Sequence, residues 1–161
     1  MADGYRIIGA EMSPYSVKAR SYFRYKAIPH QWILRNAASQ AEYEKYARVP
    51  IIPLVVTPDG TGIQDSTPII DAMEKLYPEP SIHPDDAVAS FVSALIEEFG
   101  DEWGNKWMFH YRWARDVDQI SSAGASRGCA RRTQAIRSTM HSRSRCAPAW
   151  STGYGSSAPT P

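Results

Sequence analysis

Over the first eighty residues, apolar and polar positions alternate in short runs whose period changes several times, and each change predicts a new element. Tyr5 to Ala10 is a β-rich run, and Met12-Ser13-Pro14-Tyr15-Ser16 follows it with the Ser and Pro of a helix start. From Val17 to Lys26, Val17, Tyr22 and Phe23 oppose Lys18, Arg20, Arg24 and Lys26, the two-sided pattern of a helix lying on a sheet, which Ile28-Pro29 should end. Gln31 to Leu34 reads as a second strand. Gln40 to Arg48 is polar enough for a surface helix or an irregular crossover with Tyr43 and Tyr46 turned inward. Leu54 to Val56 makes a third strand, Thr57-Pro58-Asp59-Gly60 has turn chemistry, and Gly62 to Gln64 returns as a fourth, giving an antiparallel hairpin. Ser66 is placed to cap a helix in which Ile69, Ile70, Met73, Leu76 and Tyr77 recur at helical spacing until Pro78 and Pro80.

The resulting order, β-α-β-α-β-β-α, is an α/β, thioredoxin-like arrangement with helices on both faces of a small mixed sheet, spanning residues 1–80. The Pro-rich link from Tyr77 to Pro84 marks a domain boundary, after which Asp85-Asp86 opens a new helix with acids at its positive end. Val88, Phe91, Val92, Leu95, Ile96 and Phe99 then form one broad apolar face, followed by Trp103, Trp107, Met108, Phe109, Tyr111 and Trp113. Residues 85–120 therefore read as part of an all-helical second domain whose apolar face calls for partner helices. Beyond Ile120 the hydrophobic period is lost, so residues 121–161 should leave those aromatic residues uncovered.

Composition alters this picture only at the carboxyl-terminal end. The 161-residue chain has a formal net charge of +1 and 43% hydrophobic residues, a globular balance with no bulk charge demanding nucleic acid or an anionic membrane. After Asp118, however, there is neither an acidic residue nor a Lys, while Arg recurs at 127, 131, 132, 137, 143 and 145 among Ser, Ala, Gly, Thr and Pro. Such a tail is disordered by composition. Its abrupt onset resembles translation of a GC-rich gene in a wrong frame; a basic arm binding nucleic acid is the competing reading, and the rest of the chain supports no such partner. Cys129 and Cys146, the two cysteines, both lie in this tail, so no disulfide framework is expected and a cytoplasmic location is. No apolar run reaches the roughly 18 residues of a membrane helix, and no signal-peptide pattern opens the chain.

Three stretches have candidate chemistry. Pro50 and Pro53 both precede the third strand, and a cis-proline at its head would turn the preceding backbone N–H and C=O outward to pair with an extended peptide, which for Pro53 makes Ile52 the docking residue. Asp65-Ser66 is either a plain cap or, opposite that docking strand, a receptor for an amino-acid head group, with helix N–H groups for the carboxylate and Asp65 for the ammonium. The hydroxyls of Ser13, Tyr15 and Ser16 either cap the first long helix or donate a hydrogen bond to a bound thiolate at its N-terminus. With Ser at both ends of that motif, disulfide exchange by the protein itself is excluded there. His110 lacks a partner at metal-binding spacing, and no metal is expected.

Residues 5 to about 80 resemble the amino-terminal thioredoxin-like domain of glutathione transferases. Pro53 followed by Leu-Val-Val, the Pro-Asp-Gly turn and Gln64-Asp65-Ser66 match that family's cis-proline, hairpin and acidic-residue-Ser motif in order and spacing, whereas Pro50 falls three residues early. Ser13 sits where the family has its catalytic Ser, Tyr or Cys, matching the serine type, with Tyr15 and Ser16 as weaker alternatives. The resemblance implies that Ile52 beside Pro53 pairs with the cysteinyl backbone of glutathione, that Asp65 and Ser66 hold its γ-glutamyl end with Gln64 also among the glutathione-binding residues, and that Ser13 steadies the attacking thiolate. It implies glutathione as co-substrate, an electrophile as second substrate and a homodimer. A second domain broken near residue 120 leaves an alternative, a glutathione-binding or protein-interaction module without turnover.

Overall fold

A computed structural model describes residues 4–130. Strands β1 (Tyr5–Gly9), β2 (His30–Leu34), β3 (Leu54–Val56) and β4 (Gly62–Gln64) form one sheet in the order β2-β1-β3-β4. β1 pairs parallel with β2 and antiparallel with β3, and β3 pairs antiparallel with β4. Helices α1 (Pro14–Tyr25), α2 (Gln40–Tyr46) and α3 (Ser66–Leu76) connect and flank the strands.

Side chains on successive strand residues point to opposite faces, and the two faces bury different sets. Ile7 and its partner Val55 join Ala19, Tyr22, Phe23, Ile69, Ile70 and Met73 on the face covered by α1 and α3. Ile8, Leu54 and Val56 face the other way, against Tyr43 of α2. Each face thus has an apolar stripe to bury, and a β-α-β order with its crossover helix supplies the cover.

α1 ends earlier than Ile28-Pro29. Its last residue is Tyr25, and the chain turns left-handed at Ala27 (φ 52°), so that the Ile28 N–H returns to the Phe23 carbonyl at 2.9 Å. Lys26, grouped by the sequence pattern with the solvent-facing residues, has a fully buried side chain. It pairs with Glu74 at 2.6 Å and donates to the Tyr77 carbonyl at 2.7 Å, while the Tyr22 hydroxyl donates to Glu74 at 2.7 Å. Burial opposes ionisation of Glu74, but the hydrogen bonds from Lys26 and Tyr22 outweigh it and hold that carboxyl below its ordinary value. The pair bolts the end of α1 to α3; removing one partner would strand a buried charge.

Ser66 is the first residue of α3 rather than its cap. Asp65 occupies the capping position with φ 74° and ψ 143°, and its side chain makes no capping hydrogen bond. After the Pro-rich link, Asp86 caps α4 (Ala87–Phe99), accepting the Ala89 N–H at 2.8 Å. A π-helical turn over Gly100–Gly104 leads into α5 (Asn105–Trp113), followed by α6 (Asp116–Ala130). The boundary expected at residue 120 thus falls inside a helix that runs to Ala130, and residues 131–161 of the expected tail lie outside the described residues. Ala and Ser are compatible with a helix without forming an apolar stripe. α6 seats buried Ser122 against α5, its hydroxyl donating to the Arg112 carbonyl at 3.4 Å, and Gln119 donates to the Trp113 carbonyl at 2.7 Å.

The helical part joins the first domain through polar contacts. Lys18 of α1 bridges Glu97 and Asp101, each at 2.7 Å, Thr67 of α3 donates to Glu97 at 2.8 Å, and the Tyr15 hydroxyl donates to the Asp101 carbonyl at 2.7 Å. On the apolar face of α4, among the described residues, Val88 is 70% exposed, Phe91 68% and Ile96 65%.

Candidate functional site

Strand register determines what lies together. Ile33, Ile8, Leu54 and Gln64 form one row across the sheet. Past this row β1 leaves toward Ser13 and α1, β3 enters from Ile52 and Pro53, and β4 leaves toward Asp65 and α3. Because β3 runs against both of its neighbours, its entrance and their two exits share one end of the sheet. Residues 13, 52 and 65, remote in sequence, are thereby gathered with the N-termini of two helices.

At the start of α1, Ser13 adopts extended backbone (φ −90°, ψ 115°) and its hydroxyl oxygen accepts the Ser16 N–H at 3.2 Å, which makes Ser13 a true N-cap. The hydroxyl hydrogen of Ser13 has no acceptor among the described residues. The other two candidate hydroxyls differ. Tyr15 spends its hydrogen on Asp101, and burial followed by the charge of Asp101 pushes its ionisation up. Ser16 is fully buried against Gly9, where an added Cβ would lie 2.8 Å from the Ser16 oxygen, and that oxygen has no partner. The Ser16 hydroxyl thus lies beneath the surface that Ser13 reaches.

At the β3 entrance the Ile52–Pro53 peptide bond is cis. The Ile52 N–H and C=O make no hydrogen bond among the described residues, although Ile52 is only partly exposed. Pro53 is fully buried, and its carbonyl accepts the Asp65 N–H at 3.2 Å, extending the β3–β4 pairing by one step. The Asp65 carboxylate is exposed. Its positive φ, with ψ near 143°, belongs to a region that residues with a Cβ seldom occupy, and such strain concentrates at functional sites. The Ser66 hydroxyl is fully buried at the start of α3 and has no partner among the described residues.

Gln64, expected among the glutathione-binding residues, turns its side chain to the loop before Pro53. Its amide oxygen accepts the Arg48 and Val49 N–H groups at 2.7 and 3.1 Å, and its amide nitrogen donates to the Val49 and Ile51 carbonyls at 2.8 and 3.0 Å. Tyr43 shares the task, its hydroxyl lying 2.9 Å from the Val49 carbonyl and 2.7 Å from that of Ile51. Sequence reasoning missed Tyr43, Lys18, Glu97 and Asp101, whose roles depend on tertiary contacts. Beside α1 a cavity of about 90 Å³ is lined by Pro14, Tyr15, Asp101, Asn105 and Met108 together with Gly100 and Gly104.

A mixed sheet with a cis-proline and two helix N-termini at one end, followed by helices, is a thioredoxin-like domain with a helical extension. Residues 7–81 match the family model for the glutathione S-transferase N-terminal domain, so this part of the chain is similar to that domain. Among solved structures, it resembles a Tau class glutathione S-transferase from mango, Mangifera indica (TM-score 0.55, 19% identity, covering 87% of this chain and 56% of that one). A glutathione S-transferase from Methylobacterium radiotolerans, solved in complex with glutathione sulfonate, gives a TM-score of 0.59 at 20% identity, over 75% of this chain and 63% of that one. One from Rhodospirillum rubrum F11 gives 0.59 at 22% identity, over 86% and 62% respectively. At these identities the likeness is one of fold, and the chain spans 56 to 63% of the length of these three proteins. No curated protein sequence matches it.

Proposed function

We propose that this protein binds glutathione at the Ser13, Ile52 and Asp65 end of the sheet and activates its thiol for conjugation to an electrophile. In this reading the Ile52 N–H and C=O pair with the cysteinyl backbone as an added strand would. Asp65 meets the γ-glutamyl ammonium, and the first N–H groups of α3 receive its carboxylate. The cysteinyl sulfur then lies toward Ser13. There the hydroxyl hydrogen and the positive end of α1 stabilise the thiolate; the thiol proton leaves to solvent, and the sulfur forms the new bond to the electrophile. The observation that favours Ser13 over Tyr15 is its uncommitted hydroxyl hydrogen, and what favours it over Ser16 is that Ser13 is partly exposed whereas Ser16 is fully buried.

The test is Ser13→Ala, followed by calorimetry with glutathione and by conjugation of 1-chloro-2,4-dinitrobenzene, in which a thioether forms and chloride leaves. Loss of one donor to a developing anion lowers turnover by about 10²-fold or more, while glutathione affinity should change by less than about 3-fold. Equal losses in both would make Ser13 a binding residue instead.

The open face of α4 and the small cavity beside α1 favour a second reading, a glutathione-binding module without turnover, since pockets for drug-sized ligands measure roughly 300–1,000 Å³. Retention on immobilised glutathione with no conjugation across a panel of electrophiles distinguishes it.

A further inference from the structure

We propose that Gln64 is the positioning residue of the docking strand, fixing where the Ile52 backbone stands without touching the ligand itself. This rests on the glutathione reading above and gives a specific role to Gln64, which the sequence placed only among the glutathione-binding residues.

The first argument is saturation. A primary amide has two N–H donors and two oxygen lone pairs. In Gln64 the oxygen accepts from Arg48 and Val49, and the nitrogen donates to Val49 and Ile51, with distances between 2.7 and 3.1 Å. No capacity is left for a ligand. The donors and acceptors around it also leave a single sensible orientation for the amide, because a flip would set N–H against N–H and oxygen against carbonyl.

The second argument is location. The segment from Arg48 to Ile51 belongs to no helix or strand, so its backbone groups need partners from elsewhere. Gln64 and Tyr43 supply them. The backbone of Gln64 pairs in register with Leu54, just after Pro53, while its side chain grips Val49 and Ile51, just before Ile52. One residue therefore brackets the Ile52–Pro53 step from both sides. Asp65 follows it directly, with its N–H on the Pro53 carbonyl. Gln64 thus sets the distance between the strand that would pair with the cysteinyl backbone and the residue that would meet the γ-glutamyl ammonium.

The decisive variants are Gln64→Met, which keeps the length and removes the amide, and Gln64→Glu, which keeps acceptors and turns a negative oxygen toward the Val49 and Ile51 carbonyls. In amide NMR titrations of the full chain with glutathione, Ile52 and Ser66 should both shift in the parent protein. In Gln64→Met the Ser66 shift should persist at high glutathione while the Ile52 shift is lost, with affinity lower by about 10-fold or more, and Gln64→Glu should lose at least as much. A merely structural role would weaken both signals together, and unchanged affinity would remove the role altogether; either result overturns the proposal. Should Gln64→Met fail to fold, Tyr43→Phe, which removes the other tie to Val49 and Ile51, must show the same selective loss at Ile52, and its absence counts against the proposal. If the parent protein does not bind glutathione, the functional reading fails first. Amide exchange in Gln64→Met then decides the pinning alone, with faster exchange confined to residues 48–52 supporting it and an unchanged pattern overturning it.

Discussion

On the glutathione reading proposed above, Asp65 sets folding against binding, and Asp65→Gly should separate the two. At φ 74° and ψ 143° the residue sits where a Cβ is opposed, at a cost of about 1–3 kcal/mol. The side chain is exposed and caps nothing, so its removal forfeits no structural hydrogen bond. Glycine adopts this conformation freely, but its unfolded chain has more freedom to lose, which offsets roughly 0.5–1 kcal/mol. The net expectation is a stabilisation of about 0.5–2 kcal/mol, seen as several degrees in Tm, since 1 kcal/mol is roughly 4–8 °C for a domain of this size. Glutathione affinity should move the other way. The loss of a charge-assisted contact to the ammonium, about 1.5–3 kcal/mol, corresponds to roughly 10- to 100-fold. Thermal unfolding without ligand and calorimetry with glutathione measure the two effects. Asp65→Ala is the control, because it removes the charge and keeps the Cβ: it should match glycine in lost affinity and gain no stability. Equal stabilisation by Ala and Gly would trace the effect to charge and refute the backbone argument; a destabilised Asp65→Gly would refute it as well.

Two further outcomes follow from the packing. The Lys18 hydrogen bond holds Glu97 below its ordinary range, and Lys18 is raised in turn because hydrogen bonds to Asp101 and Glu97 outweigh the opposing effect of burial. A lowered carboxylate contributes stability above its unfolded pKa and loses it as pH falls through the folded value, whereas a raised lysine contributes below its unfolded pKa and loses it as pH rises through the folded one. The clasp between α1, α3 and α4 should therefore hold at neutral pH and loosen at both extremes; amide exchange at Thr67 and along α4 that stays flat from neutral pH through the carboxylate range would contradict this. Gly62→Ala should destabilise the fold by about 1–3 kcal/mol in chemical denaturation, because its Cβ would stand 2.5 Å from the Tyr46 carbonyl oxygen, while Gly100→Ala, with nothing within 4 Å, should cost no stability.

The sheet and the helices α1 and α3 were legible because each has a face to bury, and a buried face leaves a period in the sequence, whereas the short, polar α2 stayed open between a surface helix and an irregular crossover. Ile7 and Ile8 announce a strand covered on both sides, and Ile69, Ile70 and Met73 announce the helix over one of them. What failed was local chemistry governed by distant backbone. A Ser opening an apolar run reads as a cap, yet the positive φ of Asp65 starts α3 one residue earlier and takes Ser66 inside. Gln64 reads as part of a ligand motif because of its neighbours, while its real partners lie some fifteen residues upstream in a loop with no pattern of its own. Lys26 looked solvent-facing because a period registers charge and not the partner that neutralises it. α6 escaped notice for the opposite reason: it packs through a small polar residue, Ser122, and a helix without an apolar stripe gives no periodic signal.

The row Ile33, Ile8, Leu54 and Gln64 has one more consequence, for which changes of chain length the fold can absorb. An insertion on the Ile52 or Asp65 side of that row would shift one part of the site against the others and flip strand residues between the two cores. The Pro58-Asp59-Gly60 turn lies at the far end of the same hairpin, where Gly60 has open space around it. Residues added there leave the row untouched. Length variation should therefore be tolerated at one end of the β3–β4 hairpin and forbidden at the other, so the turn is the place to graft a tag, an epitope or a reporter peptide without disturbing the chemistry opposite.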